Sequence, residues 1–308
     1  QMPNQYTTLK NVIKMEEEAK KAGLADVNGY SALGKFFRAY FFDQMSKRVG
    51  DLPMTEALKG ITNTAPAYDS QKAIYVQILK WLDEANTDLA TVIARGETVS
   101  GDFYFSGDLK KWQKVVNAYR LRVLITLSKK EADTDLAVKT KFAEMVGNPT
   151  KYPLLGSNAE SLQFVWNSFN KYPSNPDNFG FDATRQNMAS TYVGLLSKTQ
   201  DPRVMVTCEP TGADLKAGKL ASDYSAYRGA GSGDALDDMA KNAGLSNGAG
   251  YAPGIYSFQN RARYYQNYVG ENTFIVGYPE LCFNIAEGYA RGWASGSAED
   301  WYKKGIKA

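Results

Sequence analysis

The sequence predicts an all-α fold, with irregular tetratricopeptide-like helix pairs forming a superhelical frame that a loop-rich insertion interrupts. Three observations predict it. Apolar residues recur at the same relative spacing of 0, 3, 4 and 7 in three stretches: Leu33, Phe36, Phe37 and Tyr40; Trp112, Val115, Val116 and Tyr119; Cys282, Ile285, Ala286 and Tyr289. Each stretch has partner positions downstream, supplied by Ile74, Ile78 and Trp81, by Val138, Phe142 and Met145, and by Ala298, Tyr302 and Gly305. Between the second and third pairs, residues 148–276 lose helical periodicity and fill with Gly, Asn, Ser, Pro and aromatic residues. Bulky residues at this spacing mark any buried helix, so one match says little; three with partners point to a repeat.

The first helix is read from Tyr6 to Ala22, with Leu9, Val12, Ile13 and Met15 on its apolar face and Gly23 as its stop. Ser31 is expected to cap the second, which runs to Arg48 and ends at Gly50; Gly50-Asp51-Leu52-Pro53 is then a tight exit loop. A turn-rich connection through Pro66 leads to Asp69 or Ser70. Either can cap a helix with Ile74, Ile78, Trp81, Leu82, Ala85 and Leu89 on one face and Gly96 at its end. Residues 99–105 alternate poorly and serve to position the next helix, capped by Asp108 and striped by Trp112, Val115, Val116, Tyr119, Val123 and Leu127. Arg120 and Arg122 flank that stripe and are expected on a solvated or salt-bridged face. A shorter helix ends near Val146. Inside the insertion, residues 162–166 read as a short strand, 183–196 as a helix, Asp201-Pro202-Arg203 as a turn before 204–207, and 229–234 and 244–254 as loops. Pro279 suits the first turn of the penultimate helix, where its missing N–H would be unpaired anyway, and Ser297 with Asp300 suits a capping box for the last.

At 308 residues the chain can bury a real core, and it is read as one domain: frame 1–147, aromatic insertion 148–276, final helix pair 277–308. It starts at Gln1 without a leader and stops inside the second helix of a repeat, so the full-length protein is expected to extend beyond both ends. Lys and Arg number 36 against 33 Asp and Glu, interspersed, so no basic face points to nucleic acid. Histidine is absent, which removes the commonest metal ligand, the commonest general base and every Ser-His or Cys-His nucleophile. Cys208 and Cys282 lack metal-ligand spacing; Cys282 belongs on a buried helix face, and whether the two pair is left open. No apolar run approaches the roughly 18 residues that cross a bilayer. Asp234, Asp237 and Asp238 read as a solvated acidic turn, since their spacing is not that of an EF-hand loop, and the glycine-rich runs 212–219 and 229–233 miss the phosphate-binding patterns. No cofactor is expected.

The set Phe36 to Tyr40, Gly50-Asp51-Leu52-Pro53, Tyr68-Asp69 opening a long helix that contains Asp83-Glu84-Ala85, and Gly107-Asp108 leading into Trp112 to Leu127 resembles the SusD/RagB family of nutrient-binding outer-membrane lipoproteins. Asp201-Pro202-Arg203 and Tyr278-Pro279-Glu280-Leu281 through Ala286-Glu287 fit the same order, so the resemblance covers nearly the whole chain. It implies a tetratricopeptide-like frame with an irregular face that binds glycans. It also implies a cell-surface, outer-membrane location in Bacteroidetes-type bacteria through a lipidated N-terminal cysteine, and a SusC-like TonB-dependent transporter as partner. Neither a signal peptide nor the lipidation cysteine is among these residues, which are expected to be soluble by themselves. Ligand contacts vary within the family, so none is carried over by motif.

Glycan capture also suits the chemistry of the insertion. Sugars present flat C–H faces that stack on aromatic rings and a rim of hydroxyls that need amide and charged partners. The candidate ligand-binding residues are therefore Trp166 and Tyr172 with Asn167 and Asn170, then Tyr224, Tyr227 and Arg228, then Tyr256, Asn260 and Tyr265. An aromatic in an irregular region more often packs under a loop than faces a ligand. The chain is expected not to be an enzyme. The alternatives are a tetratricopeptide-type interaction scaffold and a two-carboxylate glycoside hydrolase drawing on Glu160, Asp182, Glu209 and Glu271, none of which sits in a catalytic motif.

Overall fold

The computed structural model describes residues 5–178, 188–235, 238–239 and 254–308. The chain divides into two compact units, one formed by residues 1–163 with 274–308 and the other by residues 164–273.

In the first unit α1 (Tyr6–Lys21) buries Leu9, Val12 and Ala19, and ends where Gly23 takes a left-handed φ of 77°. Helix α2 (Gly29–Val49) begins earlier than the Ser31 cap predicts. Asn28 is the cap: its side chain accepts from the Ser31 N–H at 2.9 Å, and the Ser31 hydroxyl accepts from the Asn28 N–H at 3.0 Å. Ser31 thus closes a reciprocal capping box from the third helical position, satisfying two otherwise orphaned donors. For α3 (Gln71–Ala94) the choice between Asp69 and Ser70 resolves to Ser70, which accepts from the Ala73 N–H. Asp69 instead ties down the incoming loop through the N–H groups of Met54 and Thr55, both at 2.8 Å.

Helix α4 (Leu109–Thr126) is capped by Asp108 and is buried almost all round. It packs against α2, α3, α5 (Val138–Gly147) and a helix from the far end of the chain, which explains why apolar residues occupy more than one of its faces. The expected helix pairs are present: α2 lies on α3 and α4 on α5. Phe36 meets Trp112 and Tyr119 edge-on, both at 5.8 Å, knitting α2 to α4. Arg120 is 3% exposed, not solvated, because it crosses to Asp83 on α3 at 2.5 Å and lies over the Tyr152 ring. Arg122 is salt-bridged as well, pairing with Glu280. A second buried charge, Asp43, accepts from the hydroxyls of Tyr75 at 3.0 Å and Tyr119 at 2.6 Å and pairs with Lys47.

Strand β1 (Leu162–Phe164) leaves this unit and, beyond the second one, β2 (Thr273–Val276) pairs with it. The second unit carries α6 (Ser190–Lys198), α7 (Arg203–Thr207), α8 (Gly212–Lys216) and α9 (Arg261–Tyr264), and α6 and α7 contribute to a small core of Val193, Leu196, Val204, Cys208, Ala226 and Tyr227. The turn expected over Asp201-Pro202-Arg203 leads directly into α7, which takes in Arg203 as well as residues 204–207. The first part of the helix expected over 183–196, and most of the loop expected over 244–254, lie outside the described residues.

The chain returns to the frame with α10 (Tyr278–Ala290), which carries Pro279 in its first turn, and α11 (Ala298–Lys307), capped by Ser297 through the Asp300 N–H. They form the third pair, and α10 also packs on α4. Gly288 makes the approach to α5 so close that an added Cβ would fall 2.0 Å from the Phe142 ring. Both cysteines are buried thiols and are not bridged. No helix among the described residues is long and apolar enough to cross a membrane.

Candidate binding site

The second unit brings the first group of candidate residues together. Trp166 is half-buried, and its indole N–H donates to the Thr273 hydroxyl at 3.1 Å, which fixes the ring. Phe164 meets it edge-on at 4.8 Å and Tyr172 edge-on at 5.9 Å; Tyr172 in turn stacks on Tyr264 at 6.4 Å with 20° between planes. Four rings therefore run as a ladder along one patch. The Tyr172 N–H donates to the Tyr268 carbonyl at 2.9 Å, tying the segment after Trp166 to the segment after α9. Gly270 has φ of 50° and lies against Tyr172, with 2.3 Å from an added Cβ to the ring, so a side chain here would unseat the ladder. Burial pushes the Tyr172 and Tyr264 hydroxyls above the ordinary tyrosine range, so both are neutral donors at physiological pH.

Asn167 and Asn170 shape the backbone beside Trp166. The Asn167 side-chain oxygen accepts from the N–H groups of Phe169 and Asn170, both at 2.9 Å, and its own N–H donates to the Asn170 carbonyl at 2.8 Å. This Asx turn leaves the Asn170 side chain exposed. Phe169, at the turn's tip, is 94% exposed.

Ion pairs flank the ladder. Lys171 pairs with Asp177 and lies 4.5 Å from the Tyr268 ring centre, while the Tyr268 hydroxyl donates to Asp177 at 3.0 Å. Hydrogen bonding to Asp177 raises the Lys171 pKa, and bonds from Lys171 and Tyr268 hold Asp177 below the usual carboxylate range. Arg263 pairs with Glu271 at 2.5 Å.

The other candidates are dispersed. Tyr227 is buried in the small core, with its hydroxyl donating to the Ala221 carbonyl at 2.6 Å, and Tyr224 packs partly buried against the same core. Arg228 is exposed and paired with Asp214 at 3.0 Å. Tyr256 donates to Asp234 at 3.3 Å, Asn260 caps α9 through the Arg263 N–H, and Tyr265 is buried. Sequence reasoning missed Phe169, Tyr264 and the Lys171–Asp177–Tyr268 group. The capacity of Asn167 to close an Asx turn is the one signal that could have found the first; nothing in the sequence distinguishes Tyr264 from its buried neighbour Tyr265.

Of the carboxylates considered for hydrolysis, the three among the described residues are engaged. Glu209 pairs with Arg261, and Glu271 with Arg263. Burial alone would raise Glu160, yet Lys114 and the Gly156 N–H outweigh it and its pKa falls. Asp182 lies outside the described residues, as does Asp237 of the acidic turn. Among the described residues no group of three or more acidic or cysteine side chains is disposed to hold a metal ion.

The architecture defines a helical-repeat protein that carries a loop-rich unit bearing a ladder of aromatic rings. The chain belongs to a SusD-like family, described as starch-binding and associating with the outer membrane, whose profile matches residues 2–308. A Bacteroides vulgatus ATCC 8482 protein whose structure is described in terms of the outer membrane and nutrient binding is 34% identical with a TM-score of 0.82, over 100% of this chain and 64% of that one. A SusD homologue from Bacteroides fragilis NCTC 9343 is likewise 34% identical at a TM-score of 0.82, over 99% of this chain and 61% of that one. A chitin-binding SusD homologue from Flavobacterium johnsoniae shares the fold at 20% identity and a TM-score of 0.70, over 97% of this chain and 56% of that one. The chain thus spans less than two thirds of the length of these relatives. No curated protein matches it.

Proposed function

We propose that this chain is part of a non-catalytic glycan-binding protein of the outer membrane, which captures oligosaccharide or polysaccharide at the cell surface for a SusC-like TonB-dependent transporter. The observation that carries the reading is the ladder Phe164, Trp166, Tyr172 and Tyr264, rimmed by amides and ion pairs in a loop-rich unit. Stacked and edge-on rings supply apolar faces for pyranose C–H surfaces, while Asn170, the tyrosine hydroxyls and the rim charges supply partners for hydroxyl groups. Membership of a family described as starch-binding and outer-membrane-associated supports the same reading. Transporter partnership and a lipid anchor follow from the family resemblance alone.

The test is calorimetric titration against a panel of soluble polysaccharides and oligosaccharides, with reducing ends assayed in the same mixtures. Saturable binding without new reducing ends is expected. New reducing ends that a single Glu→Gln change abolishes would make the protein a hydrolase instead. Trp166→Ala is expected to weaken binding while the melt stays cooperative; unchanged affinity would remove Trp166 from the site.

A further inference from the structure

Phe169 is the outlier of the second unit. An exposed phenyl ring gains nothing from folding, yet this one is 94% exposed on a turn closed by three hydrogen bonds. The turn begins at the residue after Trp166, whose indole is itself pinned to Thr273. An apolar ring carried on a closed turn needs little backbone ordering when it meets a partner, which is a property of a binding anchor.

The charges say what kind of partner. The two cations nearest the ladder in sequence, Lys171 and Arg263, are each closed onto a carboxylate, Asp177 and Glu271. Arg261, at the start of α9, is closed onto Glu209. An anionic sugar would have to open one of these pairs or lie beside its carboxylate, and either costs electrostatic energy. An uncharged sugar meets no such cost, because its hydroxyls can donate to Asp177 or Glu271 and accept from Lys171 or Arg263 while each pair stays closed.

We infer that Phe169 is a ligand-contacting finger, separate from the Trp166 ladder, and that it and the ladder together take an uncharged sugar chain. This rests on the glycan-binding reading and adds one residue and one ligand class to it. The finger contributes an apolar contact to a sugar C–H face, and the closed ion pairs reject uronic and sulfated sugars.

The experiment is calorimetric titration of the wild type, Phe169→Ala and Phe169→Tyr with two matched sets of soluble glycans. One set is uncharged, comprising malto-, chito-, xylo- and β-gluco-oligosaccharides; the other is anionic, comprising oligogalacturonate, oligoalginate and chondroitin sulfate fragments. The expected result is binding to an uncharged member whose affinity changes by less than about twofold between low salt and half-molar NaCl, since no net charge is matched. Phe169→Ala is expected to weaken it by about tenfold, with Phe169→Tyr close to wild type, as for an anchor ring. Because the side chain is exposed, all three should share one thermal midpoint. Two results would overturn the inference while leaving glycan binding intact: tightest binding to an anionic glycan that weakens with salt, or equal affinity of Phe169→Ala and wild type. Binding to neither set would overturn the glycan reading itself, and the inference with it.

Discussion

At the scale of single residues, the hydroxyls and carboxylates buried in the frame determine how it responds to alkali. Burial, with the nearby Tyr68 and Asp69, pushes Tyr6 up to about 12, and its hydroxyl donates to the Pro53 carbonyl at 2.6 Å. Burial beside the Asp43 carboxylate raises Tyr75 and Tyr119 as well. An unfolded tyrosine ionises near pH 10, so in all three the folded state holds the proton more tightly than the unfolded state. Their contribution to stability is therefore complete below pH 10 and is lost as pH rises from there toward the folded values, about 12 for Tyr6. The urea midpoint is expected to fall between pH 9 and pH 11, and to fall less steeply in Tyr6→Phe. Parallel pH profiles for the two proteins would show that Tyr6 takes no part. Asp108 has a plainer role, since its carboxylate accepts from the N–H groups of Lys110 and Lys111 at the start of α4. Asp108→Ala should cost about 1 kcal/mol in the same urea melts, the usual value of a helix cap.

At the scale of elements, the frame was largely legible in the sequence and the candidate site only partly so, and the physics of each explains the difference. A helix that packs on neighbours needs apolar residues every three or four positions, so α2, α4 and α10 announced themselves through Phe36, Trp112 and Ile285, and their partners followed. Caps were legible to within a few residues, because Asn28 and Ser31 are both good capping residues and only the fold decides which stands outside the helix. Arg120 and Arg122 are both salt-bridged, which is one of the two expected roles, but their partners Asp83 and Glu280 lie on other helices and could not be named from the sequence. In the loop-rich unit no period ties exposure to position. Tyr264 and Tyr265 are adjacent, yet one stacks in the ladder and the other is buried. The same closeness of packing gives a prediction for α10. Gly288→Ala would drive a methyl group into the Phe142 ring, and should destabilise the frame by about 1–3 kcal/mol, as overpacked cores do. Adding Phe142→Leu should recover part of that loss. A Gly288→Ala urea midpoint equal to wild type would mean that α10 and α5 are free to separate.

At the scale of the whole molecule, the frame and the loop-rich unit each have a core of their own, and their separability can be tested. The frame's core runs continuously from Leu9 on α1 through α2, α3, α4 and α5 to Leu281 and Ile285 on α10, and includes Leu162 and Val276 from the paired strands. Among the described residues that core takes none from 165–272, and the chain enters and leaves that segment through β1 and β2, which hydrogen-bond to each other. Neighbouring strands lie about 4.8 Å apart, so a linker of a few Gly and Ser residues can join them at small entropic cost. The frame so shortened is expected to keep its helical circular dichroism and melt cooperatively, with no heat of binding toward the sugar that the intact chain takes. A shortened protein without a cooperative melt would make the insertion part of what folds the frame. Retained sugar binding would move the site from the aromatic ladder onto the helix pairs, where the frame itself would have to supply the stacking rings.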